Sequence, residues 1–67
     1  MLFKDQLNAY IVQLECSGRE LAEASGLSAA TVSRYRSGER KPESAAEREK
    51  LVSGIVRLAA MRGIPSL

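Results

Sequence analysis

The side chains of this chain that are able to do chemistry are cations concentrated in one short stretch. Residues 27–42 hold four basic side chains and one acid, a net charge of +3, and the four are Arg34, Arg36, Arg40 and Lys41. Residues 1–26 carry −2 and residues 43–67 carry +1, so the whole chain has a net charge of only +2. Such a cluster either faces a polyanion or is a set of solvated side chains at helix ends and loops.

The composition excludes most catalytic and metal chemistry. The chain has no histidine, and Cys16 is its only cysteine. It therefore lacks the ligands of a Cys/His zinc site, a disulfide framework and a Cys-His or Ser-His catalytic pair. We predict that Cys16 is a small hydrophobic residue at a helix end in a reducing compartment. A small acid-based enzyme is the weakest alternative, because Glu47 and Glu49 are predicted to lie in an exposed charged turn. No enzyme activity, metal or cofactor is expected.

Length and hydropathy favour one small cytoplasmic domain that spans residues 1–67. A chain of 67 residues has a marginal core and little room for a deep cavity. Arg57 interrupts its best apolar segment, which is shorter than the roughly 20 residues of a membrane span. Asp5 lies where a signal peptide needs its apolar run. Residues 63–67 are expected to be either a tail or the start of a linker.

Apolar spacing and capping residues predict an all-α fold. Residues at spacings of three and four line one face of a first helix: Phe3, Leu7, Tyr10, Ile11 and Leu14. The segment 17–20, Ser-Gly-Arg-Glu, has the form of a capping box and begins a short second helix that ends at Gly26. Ser28 caps a third helix over 29–37, which Gly38 ends.

A polar loop that includes Pro42 follows the third helix, and Ser44 caps the last helical region, which extends to Arg62. Gly54 either divides that region into two helices or bends it. Four or five helices are therefore expected.

These residues resemble the lambda-repressor/Cro-like (XRE-type) helix-turn-helix family. The resemblance covers residues 3 to about 62 in organisation and 17–42 in detail. It is carried by the spacing of five residues and by the run Ser-Arg-Tyr-Arg-Ser-Gly-Glu-Arg-Lys-Pro, and the five are Leu21, Ala22, Gly26, Leu27 and Val32. Small Ala22 lets two helices approach, Gly26 makes the turn, and Val32 packs the second helix on the first. The resemblance implies a compact four- to five-helix DNA-binding domain with its motif at 18–37.

In this family the helix over 29–37 lies in the major groove of double-stranded DNA. With Val32 inward, Ala30 and Arg34 lie on the opposite face. The expected base-reading residues are Ser28, Ala29, Ala30, Thr31, Ser33 and Arg34. Of these, only Arg34 has the forked donors that read guanine. The two alanines either contact thymine methyl groups or are simply good helix formers on a surface.

Phosphate contacts need hydroxyls, basic side chains and helix N-termini near the edges of the groove. The residues that qualify are Ser17, Arg19, Tyr35, Ser37, Arg40 and Lys41. Tyr35 suits a half-buried core position equally well. Two residues depart from the family pattern: Gly18 replaces a glutamine, and Arg36 replaces an acid. For Arg36, contact with phosphate, pairing with Glu15 and simple solvation all stay open.

The last helix has a wider apolar stripe than a single core requires. Leu51, Ile55 and Leu58 form one stripe, and it is continued by Val52, Val56, Ala59 and Ala60. Either this helix is packed on two sides, or residues 51–62 form a two-fold homodimer contact that spaces two recognition helices about 34 Å apart.

The predicted function is a sequence-specific DNA-binding transcriptional regulator, and the resemblance favours a repressor. The alternatives are a protein-interaction module, such as an antitoxin or adaptor that retains the fold, and the excised N-terminal domain of a longer regulator.

Overall fold

A computed structural model describes residues 2–64, and in that range the chain forms four helices and no strand. The helices are α1 (Phe3–Leu14), α2 (Gly18–Ser25), α3 (Ala29–Ser37) and α4 (Ala45–Met61). The prediction of an all-α domain is confirmed. The predicted tail lies partly outside the described residues. No helix in the described range is both long and apolar enough to cross a bilayer.

The helix ends lie where the capping residues predict. Ser17 accepts a hydrogen bond from the Glu20 amide, and the Glu20 carboxylate accepts one from the Ser17 amide, which completes the capping box. Ser28 and Ser44 cap α3 and α4 in the same way through one amide each. Gly26 ends α2 with φ at 74°, a left-handed conformation that glycine adopts without a Cβ penalty.

The core lies between α4 and the three shorter helices. α4 packs mainly against α2, whereas α3 packs against α2 and α1. Four large side chains are the most completely buried, and they come from α1, α2 and α3: Leu14, Leu21, Val32 and Tyr35. The Phe3 ring meets the Tyr35 ring edge to face at a centroid distance of 5.7 Å. Half-buried Cys16 packs against this core just after α1. Because the buried residues of α3 are Val32 and Tyr35, which lie on the same side of the helix, α3 is attached to the core along that side only.

Gly54 allows α2 and α4 to touch. A Cβ atom at this position would lie 2.6 Å from the Ser25 Cβ and 2.9 Å from the Ser25 backbone nitrogen. Ser25 is itself buried, and its hydroxyl donates to the Leu21 carbonyl at 2.7 Å. The expectation that Gly54 divides the last helical region is wrong, because α4 runs without a break from Ala45 to Met61. The glycine serves a close approach between two helices.

Gly54→Ala is expected to destabilise the domain, although the same change in an exposed helix stabilises by about 1 kcal/mol. The added methyl group must push α2 away, and overpacking of this kind costs about 1 to 3 kcal/mol. Urea unfolding followed by circular dichroism measures the change. Ser53→Ala, one residue away and exposed, is the control and should leave the free energy of unfolding nearly unchanged. A Gly54→Ala variant as stable as the parent would contradict the close contact.

Candidate nucleic-acid interface

One face of α3 is buried and the opposite face is open. Val32 and Tyr35 lie in the core with 0% of their surface exposed. The residues on the other side of the helix are all exposed: Ala30, Ser33, Arg34 and Ser37. Ala29, to one side at the start of the helix, is exposed as well. Because the core holds only the Val32 side, a partner is able to approach the whole outward face.

The predicted base-reading residues lie together along that face and at the start of α3. Ser28 caps the helix through the Thr31 amide at 3.1 Å, and the two hydroxyls are 2.7 Å apart. Ala29 and Ala30 present bare methyl groups to solvent. Arg34 is exposed and forms no ion pair with any described residue. Arg34 therefore carries the strongest recognition chemistry on the face.

A surface groove brings the start of α2 beside the outward face of α3. We call it the α2–α3 groove, and its lining comprises Asn8, Gly18, Arg19, Ala29, Ser33, Arg36 and Ser37. Exposed Ser17 adjoins the groove as the N-cap of α2. Of the predicted phosphate-contact residues, the structure therefore gathers Arg19 and Ser37 in this groove with Ser17 beside it. Exposed Lys41 lies in the loop after α3.

Tyr35 does not belong to this surface. Its side chain is buried, and its hydroxyl donates to Oε1 of Glu47 at 3.4 Å. Burial, reinforced by the charge of Glu47, raises the pKa of the Tyr35 phenol. The prediction of a phosphate contact is corrected here, because the alternative core position is the one that the structure has.

Arg40 also forms its contacts with other residues of the protein. Its Nη2 atom lies 2.7 Å from Oε1 of Glu47, and its Nε atom lies 3.9 Å from Oε1 of Glu43. The half-buried guanidinium thus ties the loop after α3 to the first turn of α4. The predicted phosphate contact of Arg40 stays a prediction, with a carboxylate at ion-pair distance from the same guanidinium.

Glu47 is the centre of this network, which sequence reasoning missed. It was predicted in an exposed turn, yet it lies half-buried in the first turn of α4 and accepts from the Glu43 amide at 2.7 Å. That backbone hydrogen bond, with the Arg40 charge and the Tyr35 hydroxyl, lowers the pKa of the Glu47 carboxyl. Its position three residues after Ser44 is the spacing of a capping box, and that was the available signal.

Arg36 pairs with a residue that no pattern singled out. Its Nε donates to Oδ1 of Asn8 at 3.0 Å, and Nδ2 of Asn8 donates to the Arg36 carbonyl at 3.0 Å. No pairing with Glu15 occurs among the described residues. Asn8 lies on α1, 28 residues away, so local sequence carried no signal for this contact.

Comparison with known families agrees with this arrangement. The helix-turn-helix family model matches residues 7–45, which is more than half of the 67 residues. The chain belongs to the lambda-repressor-like helix-turn-helix family. Neither the curated proteins nor the solved structures give a significant match.

The matched segment of this helix-turn-helix domain contains the whole of α2 and α3 and the Gly26 turn between them. Membership supports a DNA-binding regulator. The described residues hold no group of three potential ligands arranged around a metal position.

Glu47→Gln is expected to destabilise the domain in a pH-dependent way. Because folding lowers the pKa of Glu47, the ionised carboxylate stabilises the fold above its ordinary pKa of about 4.3. That stabilisation is lost as the pH falls through the folded pKa. Thermal unfolding should give Glu47→Gln a lower Tm than the parent at pH 7, with the difference shrinking below about pH 4.

Glu49→Gln is the matched control for that measurement, because it removes the same charge two residues further along α4 from an exposed position. Its Tm should stay close to that of the parent at both pH values. A Glu47→Gln deficit of the same size at pH 7 and pH 3 would show that the ionised network does not carry the effect.

Proposed function

We propose that this single helix-turn-helix domain is a sequence-specific regulator of transcription that acts on double-stranded DNA in the cytoplasm, with α3 in the major groove. The observation that carries the proposal is the exposed outward face of α3, on which Arg34 forms no ion pair within the described part of the chain. A helix anchored on one side and open on the other is what major-groove docking requires.

Base reading is assigned to the outward face and the start of α3. Arg34 is proposed to donate to O6 and N7 of a guanine, a contact that discriminates by about 1 to 3 kcal/mol. The methyl groups of Ala29 and Ala30 suit thymine. Ser33 is exposed beside them, whereas the hydroxyls of Ser28 and Thr31 already bond to each other. We therefore expect these two hydroxyls to discriminate less strongly than Arg34.

Phosphate contacts are assigned to four exposed residues around this face: Ser17, Arg19, Ser37 and Lys41. Arg19 and Ser37 line the α2–α3 groove. Lys41 follows Arg40, whose ion pair with Glu47 fixes the loop. Such contacts position the domain on the duplex, while the residues of α3 supply sequence preference.

Repression by occlusion fits the size of the domain. Its described residues extend over 30 × 22 × 19 Å, close to one turn of DNA, which is about 34 Å long. A bound copy would therefore cover about one turn of DNA, and it would repress transcription where that turn overlaps a site that a polymerase or an activator needs.

Arg34→Ala should weaken binding to the preferred duplex more than binding to mixed-sequence DNA. The preferred site is first selected from a random duplex library, and both affinities are then measured by fluorescence anisotropy at several salt concentrations. The parent should show a log–log slope of about −0.9 for each phosphate neutralised. Equal losses on both duplexes would contradict base reading by Arg34. A flat salt response of the parent would overturn the DNA proposal and favour a protein-interaction module.

Homodimerisation through α4 is proposed on the basis of its exposed apolar side chains. Leu51, Ile55 and Leu58 pack into the core, but Val52 and Val56, one helical turn apart on the same side of α4, remain 51% and 60% exposed. The second side of α4 is therefore not packed within the monomer. A second copy related by a two-fold axis would cover these residues and present two α3 helices to a pseudo-palindromic site.

Val56→Arg should shift a dimer towards monomer, because it places a charge in the centre of the apolar contact. Sedimentation velocity over a range of concentrations measures the shift, with Gln6→Arg on exposed α1 as the control for added charge. If the parent and Val56→Arg are both monomers at the highest concentration, dimerisation through α4 is excluded under those conditions.

A further inference from the structure

We propose that Arg36 is a DNA-backbone contact that Asn8 holds in position against Gly18. The proposal rests on the proposed function, because its ligand is a phosphate of bound double-stranded DNA. It adds a residue that the assignment of phosphate contacts above does not contain.

Asn8 fixes Arg36 at two points. The side-chain oxygen of Asn8 accepts from Nε at 3.0 Å, and the side-chain nitrogen donates to the Arg36 carbonyl at 3.0 Å. One amide therefore restrains both the backbone and the guanidinium of the same residue. Much of the rotamer freedom that a long side chain loses on binding is already lost in the folded protein.

Asn8 restrains the guanidinium without neutralising it. An asparagine is uncharged, and no described carboxylate lies within ion-pair distance of Arg36. Of the five N–H donors of a guanidinium, only the one on Nε bonds to a described residue, which leaves the donors on Nη1 and Nη2 for a ligand. Arg40 differs from Arg36, because its Nη2 atom forms an ion pair with Oε1 of Glu47 at 2.7 Å.

The guanidinium of Arg36 lies beside Gly18. A Cβ atom at Gly18 would lie 3.4 Å from Nη1 of Arg36 and 3.7 Å from its Cδ atom. The Arg36 side chain therefore lies against the first residue of α2, at van der Waals distance from where a side chain at position 18 would begin. Gly18 and Arg36, the two departures from the family pattern, therefore lie against each other, and a cation from α3 covers the start of α2.

The α2–α3 groove around this position is basic. It contains Arg19 and Arg36 but no acidic residue, with the hydroxyls of Ser33 and Ser37 beside them. Neither cation has an ion-pair partner among residues 2–64. Two such cations in one groove repel each other, and an anion between them relieves that repulsion. A phosphate also matches the flat fork of a guanidinium, which binds it through two donors.

The test is the salt dependence of binding to a mixed-sequence duplex, measured by anisotropy between 50 and 200 mM salt. The proposal predicts that Arg36→Gln makes the log–log slope shallower by about 0.9, the value for one lost phosphate contact. The control is Arg57→Gln, the same loss of charge on the exposed side of α4 near Glu20 and Glu23. It should leave the slope unchanged.

Two further variants separate a DNA contact from a structural role. Arg36→Lys keeps the charge and should retain the slope, with an affinity several-fold lower because the fork is lost. Asn8→Ala should also retain the slope and lower affinity several-fold, because the guanidinium is no longer held; in the Arg36→Gln background it should have no further effect on binding. If these variants lower only the Tm and leave slope and affinity unchanged, Arg36 and Asn8 merely join α1 to α3.

The failure of this inference is distinguishable from failure of the proposed function. A parent protein without salt-dependent DNA binding overturns both. A parent that binds DNA with Arg34-dependent specificity, together with an unchanged slope for Arg36→Gln, overturns the role of Arg36 alone. If Arg36→Gln does not fold, Arg36→Met replaces it, because it also removes the charge while keeping an unbranched side chain; an unchanged slope in that variant has the same meaning.

Discussion

The arrangement of this domain depends on the burial of Val32 and Tyr35, the two side chains that attach α3 to the rest of the protein. Both are completely buried, and Tyr35 meets the ring of Phe3 from α1. Since they lie three positions apart on one side of the helix, their burial also decides which side faces outward. The exposure of Arg34 follows from this constraint. So does the groove between the start of α2 and α3.

Polar contacts join α3 and the loop after it to α1 on one side and to α4 on the other. They leave the outward face of α3 uncovered. Towards α1, the carbonyl and Nε of Arg36 bond to Asn8. Towards α4, the Tyr35 hydroxyl and Arg40 bond to Glu47. The cations of the central stretch consequently have different roles. Arg40 closes a loop, whereas Arg34 remains open and Arg36 is held in place with its charge intact. The net charge of the stretch alone could not distinguish these roles.

Sequence reasoning predicted the parts of the fold that depend on near neighbours. The capping box at Ser17, the turn at Gly26 and the bounds of α3 were confirmed, because each involves residues within four positions of one another. For Gly54, the alternative that it divides the last helical region was wrong, for the opposite reason. In local sequence, a glycine inside a helix indicates a break. Here the glycine is required because Ser25 of α2 leaves no room for a Cβ atom at position 54. Only the packing of α2 on α4 reveals that requirement.

The sequence by itself determined an all-helical domain, the position of the helix-turn-helix and the absence of histidine chemistry. These follow from helical periodicity, capping and composition, which are properties of short segments. Tertiary structure alone decided which cations are free, that Tyr35 is a core residue and that Asn8 holds Arg36. The contact between Asn8 and Arg36 spans 28 positions, and that between Tyr35 and Glu47 spans 12. Such pairs form only after the helices have packed, so their partners cannot be read from local spacing.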